Sequence, residues 1–258
     1  MVAEWVHWRL LKPAYDRQRR TLGLPMSRIR AVRKIVEAGA LEIQIYDRAF
    51  FPGLDEEWNG TRPIVGTLSL ELATAFDESV MSWIKIGSPP IFFGFGSMPV
   101  DNPADAVAMI VKVCRDLGER ALICSGVLTL DDISPSTDIM VVPSLNYSMI
   151  FPRCRAIVHH GGSGTTAASV RSGIPTLVLW VGADQPLWAR QVKRLGVGTG
   201  RRLSTTTPET LREELLRVLE PGCSAKTQAI AQQMTQPRQN VNDAVDRIEG
   251  FVSSLGTC

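Results

Sequence analysis

Residues 154–166, CRAIVHHGGSGTT, lead from an apolar run directly into three glycines and three hydroxyl side chains. An apolar strand that ends in such a turn and continues into a helix is the repeating unit of a parallel sheet. Similar short apolar runs, separated by helical patterns, lie at residues 91–95, 121–124, 139–143 and 176–180. Strands that are apolar on both faces and alternate with helices predict an α/β fold, with a parallel sheet covered by helices on both faces.

The glycine-rich turn predicts a binding site for an anion. Glycines let the main chain approach a ligand closely, and the N–H groups and dipole at a helix N-terminus favour negative charge. Ser163, Thr165 and Thr166 add hydroxyl donors to the turn. Adjacent histidines on one strand point to opposite faces, so we expect His159 to be structural and His160 to contact the ligand. A diphosphate is the ligand that fits these donors.

Other interpretations of this turn fit the residues less well. A nucleophile elbow requires G-x-S-x-G, but Thr165 occupies the position of the last glycine if Ser163 is the nucleophile. A Walker loop requires Gly-Lys-Ser/Thr, and no lysine occurs between Lys112 and Lys193. Two histidines on opposite faces of a strand cannot grip one metal ion. A turn without a ligand is the remaining alternative.

A carboxylate beside a carboxamide follows the next strand and argues against a turn without a ligand. Asp184 and Gln185 precede Pro186, which predicts the start of a helix. These two side chains can make paired hydrogen bonds to the vicinal hydroxyls of a sugar. Asp184 alone is equally well interpreted as a helix N-cap, and both interpretations stay open.

Composition limits the class of protein. The chain has 258 residues, 45% hydrophobic and 21% charged, as in an ordinary soluble protein, and its net charge of +2 does not suggest a nucleic-acid partner. Five widely spaced cysteines without a CxxC pair argue against a zinc site and a disulfide framework. No apolar stretch reaches the length of about 18 residues that a membrane span needs, and the N-terminus is a poor signal peptide. We therefore expect a cytoplasmic location.

The first 75 residues predict too few elements for an independent core. Helical patterns cover residues 5–15 and 29–38, and strand-like runs cover residues 41–46 and 62–66. We expect this region to be the remainder of something larger.

Five segments carry a resemblance to a known family: PPIFFGFGS (89–97), HHGGSGTTAA (159–168), GIP (173–175), DQP (184–186) and RQVKRLG (190–196). In order and spacing, residues 90–219 resemble the C-terminal, donor-binding domain of nucleotide-sugar-dependent glycosyltransferases of the GT-B fold. Sterol glucosyltransferases and vancomycin-type antibiotic glycosyltransferases are the most similar in appearance. The resemblance implies a Rossmann-like sheet and three regions: an acceptor-domain remnant with the interdomain linker (1–75), the donor-binding domain (76–235) and a C-terminal helix (236–258).

The resemblance also implies roles for single residues. Val142 and the segment 143–145 would surround the base, and alanine at position 168, where plant relatives have a ribose-binding glutamate, leaves open whether the nucleotide is uridine or thymidine. Neither a metal nor another cofactor is implied, because the helix dipole, His160 and hydroxyl groups would stabilise the leaving diphosphate. The implied donor-binding residues are Ser97, Val142, Leu145, His160, Gly162, Ser163, Gly164, Thr165, Asp184 and Gln185.

The reaction implied is transfer of a hexose from a UDP- or TDP-sugar to a hydroxyl of a lipid, sterol-like or natural-product acceptor, with peripheral contact to a membrane allowed. The family's catalytic base lies near the start of the N-terminal domain, most of which we expect to be absent, and His7 lies in the wrong element. The catalytic residue is therefore unassigned. A nucleotide-sugar-binding module or partner subunit without turnover is the main alternative. A GT-B-fold epimerase is a weaker one, since it needs more acidic residues than Asp184.

Overall fold

The computed structural model describes residues 2–70, 72–96, 102–126 and 136–255 and divides the chain into two compact units between Glu42 and Ile43. The first unit contains the helices α1 (Val2–Thr21) and α2 (Ala31–Glu37), which confirms its two predicted helical patterns. Asp16 fixes the segment after α1, because its carboxylate pairs with Lys12 and accepts a hydrogen bond from the Ser27 amide.

The second unit contains a six-stranded sheet and nine helices within its described residues. The strands are β1 (Ile91–Gly94), β2 (Ala121–Cys124), β3 (Ile139–Val142), β4 (Ala156–His159), β5 (Thr176–Trp180) and β6 (Gly198–Arg202). The helices are α3 (Leu54–Trp58), α4 (Asp77–Lys85), α5 (Pro103–Leu117), α6 (Tyr147–Ile150), α7 (Ser163–Arg171), α8 (Gln185–Leu195), α9 (Pro208–Val218), α10 (Pro221–Ala231) and α11 (Pro237–Leu255).

The sheet is parallel throughout and its strand order is β3-β2-β1-β4-β5-β6. The chain therefore changes direction across the sheet between β1 and β4, where Gly94 is paired with His159. In sheets of this order, ligands bind beyond the carboxyl ends of the strands at this switch point. The predicted α/β fold is confirmed, and the glycine-rich turn lies where the topology favours a ligand.

Apolar side chains cover the two faces of the sheet with separate clusters. Phe93 packs on one face with Ile110 of α5 and Leu215 of α9. Phe92 packs on the opposite face with Phe151, and its ring centroid lies 4.9 Å from that of Phe151. Each fully buried side chain of this size stabilises the fold by about 1.5–3 kcal/mol through removal from water. Strand alternation thus holds the sheet between two layers of helices.

The predicted strands at residues 41–46 and 62–66 are wrong. The structure forms only one parallel bridge there, between Gln44 and Ile64. Pro63 has no amide hydrogen, which limits the pairing of this segment. Phe50, which follows the first segment, is 0% exposed because it packs edge-on against Trp188 of α8. Residues from Ile43 onward therefore belong to the same compact unit as the sheet, upstream of the predicted boundary at residues 75/76.

Candidate functional site

The turn between β4 and α7 presents an uncapped helix N-terminus. Gly161 adopts a φ of +92°, a conformation that favours glycine, and Gly162 occupies the N-cap position of α7, where no side chain caps the helix. The Gly162 carbonyl accepts hydrogen bonds from the amide and the hydroxyl of Thr166 at 2.9 and 2.8 Å. A Cβ added at Gly164 would meet no heavy atom within 4 Å. The first turn of α7 is therefore uncapped by a side chain and open beside Gly164, as an anion-binding helix requires.

His159 is a structural histidine. It is 0% exposed, and its Nδ1 accepts a hydrogen bond from the Gly161 amide at 2.9 Å. Burial, with a smaller effect of His160, lowers the pKa of His159 to about 3. The ring is therefore neutral at pH 7 and holds the turn in place, in agreement with the predicted role.

His160 lies on the opposite side of the turn and is partly exposed. Its ring is bordered by two glycines: a Cβ at Gly162 would approach Nε2 to 2.7 Å, and one at Gly96 would approach Cε1 to 3.0 Å. Burial lowers the pKa of His160, while the Gly94 carbonyl and the charge of Asp184 act in the opposite direction. Its Nδ1 is buried without a hydrogen-bond partner among the described residues. His160 is therefore a neutral imidazole, and its Nε2 beside Gly162, not the buried Nδ1, is the atom left to contact a ligand.

Asp184 ends the loop between β5 and α8. The preceding Ala183 has a φ of +54°, which is uncommon for a residue other than glycine. Asp184 is exposed and occupies the N-cap position, but its side chain makes no capping bond. Instead, its Oδ2 accepts a hydrogen bond from Trp188 Nε1 at 2.9 Å. The carboxylate is thus oriented by Trp188, and the N-cap interpretation of its side chain is wrong.

Gln185 stabilises the same loop through hydrogen bonds to its main chain. It is 4% exposed, and its Oε1 accepts hydrogen bonds from the amides of Val181 at 2.8 Å and Gly182 at 3.2 Å. The side-chain oxygen is therefore engaged by the main chain. Only the Nε2 end of this carboxamide is left to contact a ligand.

A cavity of about 680 Å³ extends from the N-terminal turn of α7 to the loop that follows β3. This volume suits a small-molecule ligand. Gly164, Thr165 and Ala168 of α7 form one side, and Leu145 and the segment up to residue 148 form another. The remaining lining residues are Leu68, Ser69, Leu70, Leu72, Thr74, Pro152, Arg171, Ser172, Gln236 and Pro237.

Comparisons with known proteins agree with this fold. The solved structure of the glycotransferase of kitacinnamycin aligns with a TM-score of 0.70 and 19% identity, covering 92% of this chain and 60% of that chain. Residues 130–246 match the family described as "Erythromycin biosynthesis protein CIII-like, C-terminal domain". An uncharacterized glycosyltransferase of Mycobacterium leprae is 50% identical over 250 residues, which cover 96% of this chain and 59% of that protein. The chain is a homologue of the glycosyltransferases of the GT-B fold.

The resemblance extends to a plant enzyme at lower identity. Sterol 3-beta-glucosyltransferase of Arabidopsis thaliana is 28% identical over 221 residues, which cover 77% of this chain and 34% of that protein. The predicted resemblance to sterol and antibiotic glycosyltransferases is thus confirmed. The chain spans about 59% of the length of its Mycobacterium leprae relative.

Of the ten predicted donor-binding residues, four described above are not among the lining residues of the cavity: His160, Gly162, Asp184 and Gln185. Leu145, Gly164 and Thr165 line the cavity, and Ser163 is exposed at the first turn of α7 beside them. Val142 is 4% exposed and packs in the apolar cluster beneath the cavity, so a contact of its side chain with a base stays a prediction. Ser97 lies outside the described residues.

Sequence reasoning missed most of the residues that line the cavity, among them Arg171 and Asn146. Arg171 lies three residues after Ala168, so both side chains lie on one face of α7. This spacing could have predicted that Arg171 lines the same cavity as Ala168. Asn146 directly follows the predicted base-contacting segment and was not predicted. Among the described residues, no group of three or more histidine, cysteine or acidic side chains is arranged to hold a metal ion. No helix in the described ranges is long and apolar enough to cross a membrane.

Proposed function

We propose that this chain is the donor-binding part of a glycosyltransferase that transfers a hexose from a UDP- or TDP-sugar to a hydroxyl group. One observation carries the proposal: the N-terminus of α7 has no side-chain cap, lies beside the neutral imidazole of His160 and opens onto the 680 Å³ cavity. A diphosphate fits there because it offers several oxygens to amide, hydroxyl and imidazole donors at once.

The proposed donors act on the leaving group. As the acceptor oxygen bonds to the anomeric carbon, the bond from that carbon to the β-phosphate oxygen breaks and its electron pair moves to the diphosphate. The amides of residues 163–165, the Thr165 hydroxyl and the His160 N–H would stabilise this growing charge, since fixed dipoles need no rearrangement during the reaction. The proton of the acceptor hydroxyl passes to a base that we place in the acceptor-binding part of the enzyme.

The walls of the site would hold the rest of the donor. Leu145 offers an apolar surface for the base, and Ala168 lies beside it without an acidic group for the ribose. Asp184, held by Trp188, would accept hydrogen bonds from hydroxyl groups of the hexose, and the Nε2 of Gln185 would donate to them. A lipid, sterol-like or natural-product acceptor is proposed because the relatives include a sterol glucosyltransferase and the kitacinnamycin enzyme.

A nucleotide-sugar-binding module without turnover is the second candidate, since the chain covers only 59% of its Mycobacterium leprae relative. The two functions separate when the protein is incubated with radiolabelled UDP-glucose or TDP-glucose, with and without a sterol acceptor. Release of nucleotide or transfer to the acceptor supports the enzyme. Binding measured by calorimetry without release supports the module. If neither nucleotide sugar binds, both functions are excluded.

A further inference from the structure

Asp77, at the start of α4, joins two walls of the cavity without lining it. The carboxylate is 3% exposed. Its Oδ1 accepts hydrogen bonds from the Asn146 amide at 2.9 Å and the Thr74 hydroxyl at 2.8 Å, and its Oδ2 accepts one from the Thr74 amide at 2.7 Å. Thr74 and Asn146 both line the cavity, although Asn146 lies 69 residues after Asp77 in the sequence.

The bonds of Asp77 differ in range. Those from Thr74 are local and fix the turn directly before α4. The bond from Asn146 spans 69 residues of sequence and fixes the main chain directly before α6. Burial acts to raise the pKa of Asp77, but the bonds from Asn146 and Thr74 outweigh burial and lower it, so the group is ionised at pH 7. An ionised, buried acceptor holds both segments more strongly than a neutral one.

The segment held by Asp77 is the one proposed to contact the base. Leu145, immediately before Asn146, lines the cavity, and the Asn146 side chain caps α6 by accepting a hydrogen bond from the Ser148 amide at 3.1 Å. On the opposite wall, Leu72 and Thr74 precede Asp77. A single carboxylate therefore accepts hydrogen bonds from both walls. We propose that Asp77 is a positioning residue that sets the width of the nucleoside part of the donor cavity.

This inference rests on the proposed function, and its alternative is a local brace of the turn before α4 with no effect on binding. Substitution by glutamate separates the two roles. Asp77→Glu preserves the charge and the two oxygens that accept hydrogen bonds from Thr74. The additional methylene lengthens the side chain by about 1.5 Å, the length of one carbon–carbon bond. The longer side chain displaces the Asn146 amide, and with it the wall formed by Leu145.

The experiment is a calorimetric titration of Asp77→Glu with UDP and with TDP, at a temperature where circular dichroism shows the variant fully folded. Asp138→Glu is the matched control. Asp138 also accepts side-chain hydrogen bonds, from Arg115 at 2.7 Å and Ser136 at 2.6 Å, but it precedes β3 and so lies at the amino end of the strands, away from the carboxyl ends that carry the site.

We expect Asp77→Glu to weaken binding of the preferred nucleotide about tenfold and Asp138→Glu to change it less than about twofold. Binding by Asp77→Glu within twofold of the wild type overturns the inference, as does an equal loss in both variants. If the wild type binds neither nucleotide, the proposed function fails and the inference fails with it. Should Asp77→Glu not fold, Asp77→Asn, which has the same size but places an amide against the Thr74 N–H, carries the test with the same expected loss.

Discussion

Replacing Gly164 with alanine separates binding from folding at the N-terminus of α7. Gly164 is the second residue of the helix, it is not in a left-handed conformation, and a Cβ there would meet no heavy atom within 4 Å. The folded protein therefore accepts the methyl group without strain. Alanine also favours the helix over glycine by about 0.5–1 kcal/mol, so the free energy of unfolding should rise slightly or stay unchanged.

The same methyl group occupies the space that the proposed diphosphate needs. It would keep a phosphate oxygen from the first amides of α7 and remove about one hydrogen bond to a charged group, about 1.5–3 kcal/mol. This loss corresponds to weakening of UDP binding by about 10- to 150-fold. The measurement combines thermal unfolding with calorimetric titration of UDP.

Gly222→Ala is the matched control for Gly164→Ala. Gly222 is also the second residue of a helix, α10, and a Cβ there would likewise meet nothing within 4 Å. We expect the control to keep wild-type affinity and a wild-type or slightly higher unfolding temperature. Wild-type UDP affinity in Gly164→Ala would refute the assignment of the diphosphate to this helix. A large loss of stability in Gly164→Ala would refute the claim that the position is open.

Two further variants test the neighbouring residues. Asp184→Asn can still accept the hydrogen bond from Trp188. We expect it to weaken binding of UDP-glucose about tenfold and binding of UDP less than about twofold. Equal losses for the two ligands in calorimetry would argue against a contact with the sugar. The pKa of His159 is about 3 in the folded protein and about 6.5 in an unfolded chain. Between these two pH values only the unfolded state protonates this histidine. The free energy of unfolding should therefore fall as the pH decreases from 6.5 to 3. His159→Asn, which retains an acceptor for the Gly161 amide, should have a flatter dependence of unfolding temperature on pH across this range, and an unchanged slope would contradict the assignment.

Local patterns predicted the sheet well because burial on both faces leaves a clear sequence signal. The runs at residues 121–124 and 176–180 coincide with β2 and β5, and those at 91–95 and 139–143 extend one residue beyond β1 and β3. The same reasoning failed at residues 41–46, where alternating apolar residues form a single bridge. There, packing of side chains on α8 decides the structure, and sequence alternation does not report which element a segment packs against.

The candidate site was only partly predictable for the same physical reason. Strand alternation correctly separated the buried His159 from the partly exposed His160. The bond between Asp77 and the Asn146 amide joins segments 69 residues apart, and the engagement of the Gln185 oxygen depends on the path of a loop main chain. Neither contact has a periodic signature in the sequence.

Titration of UDP into the wild type and His160→Ala tests the central claim, that the turn after β4 binds the diphosphate of a nucleotide sugar. Because His160 is partly exposed and its Nδ1 has no hydrogen-bond partner among the described residues, its removal should leave the unfolding temperature nearly unchanged. Loss of one hydrogen bond to a charged oxygen should weaken UDP binding by about 1.5–3 kcal/mol, or about 10- to 150-fold. Equal affinity of the wild type and His160→Ala for UDP would contradict the claim.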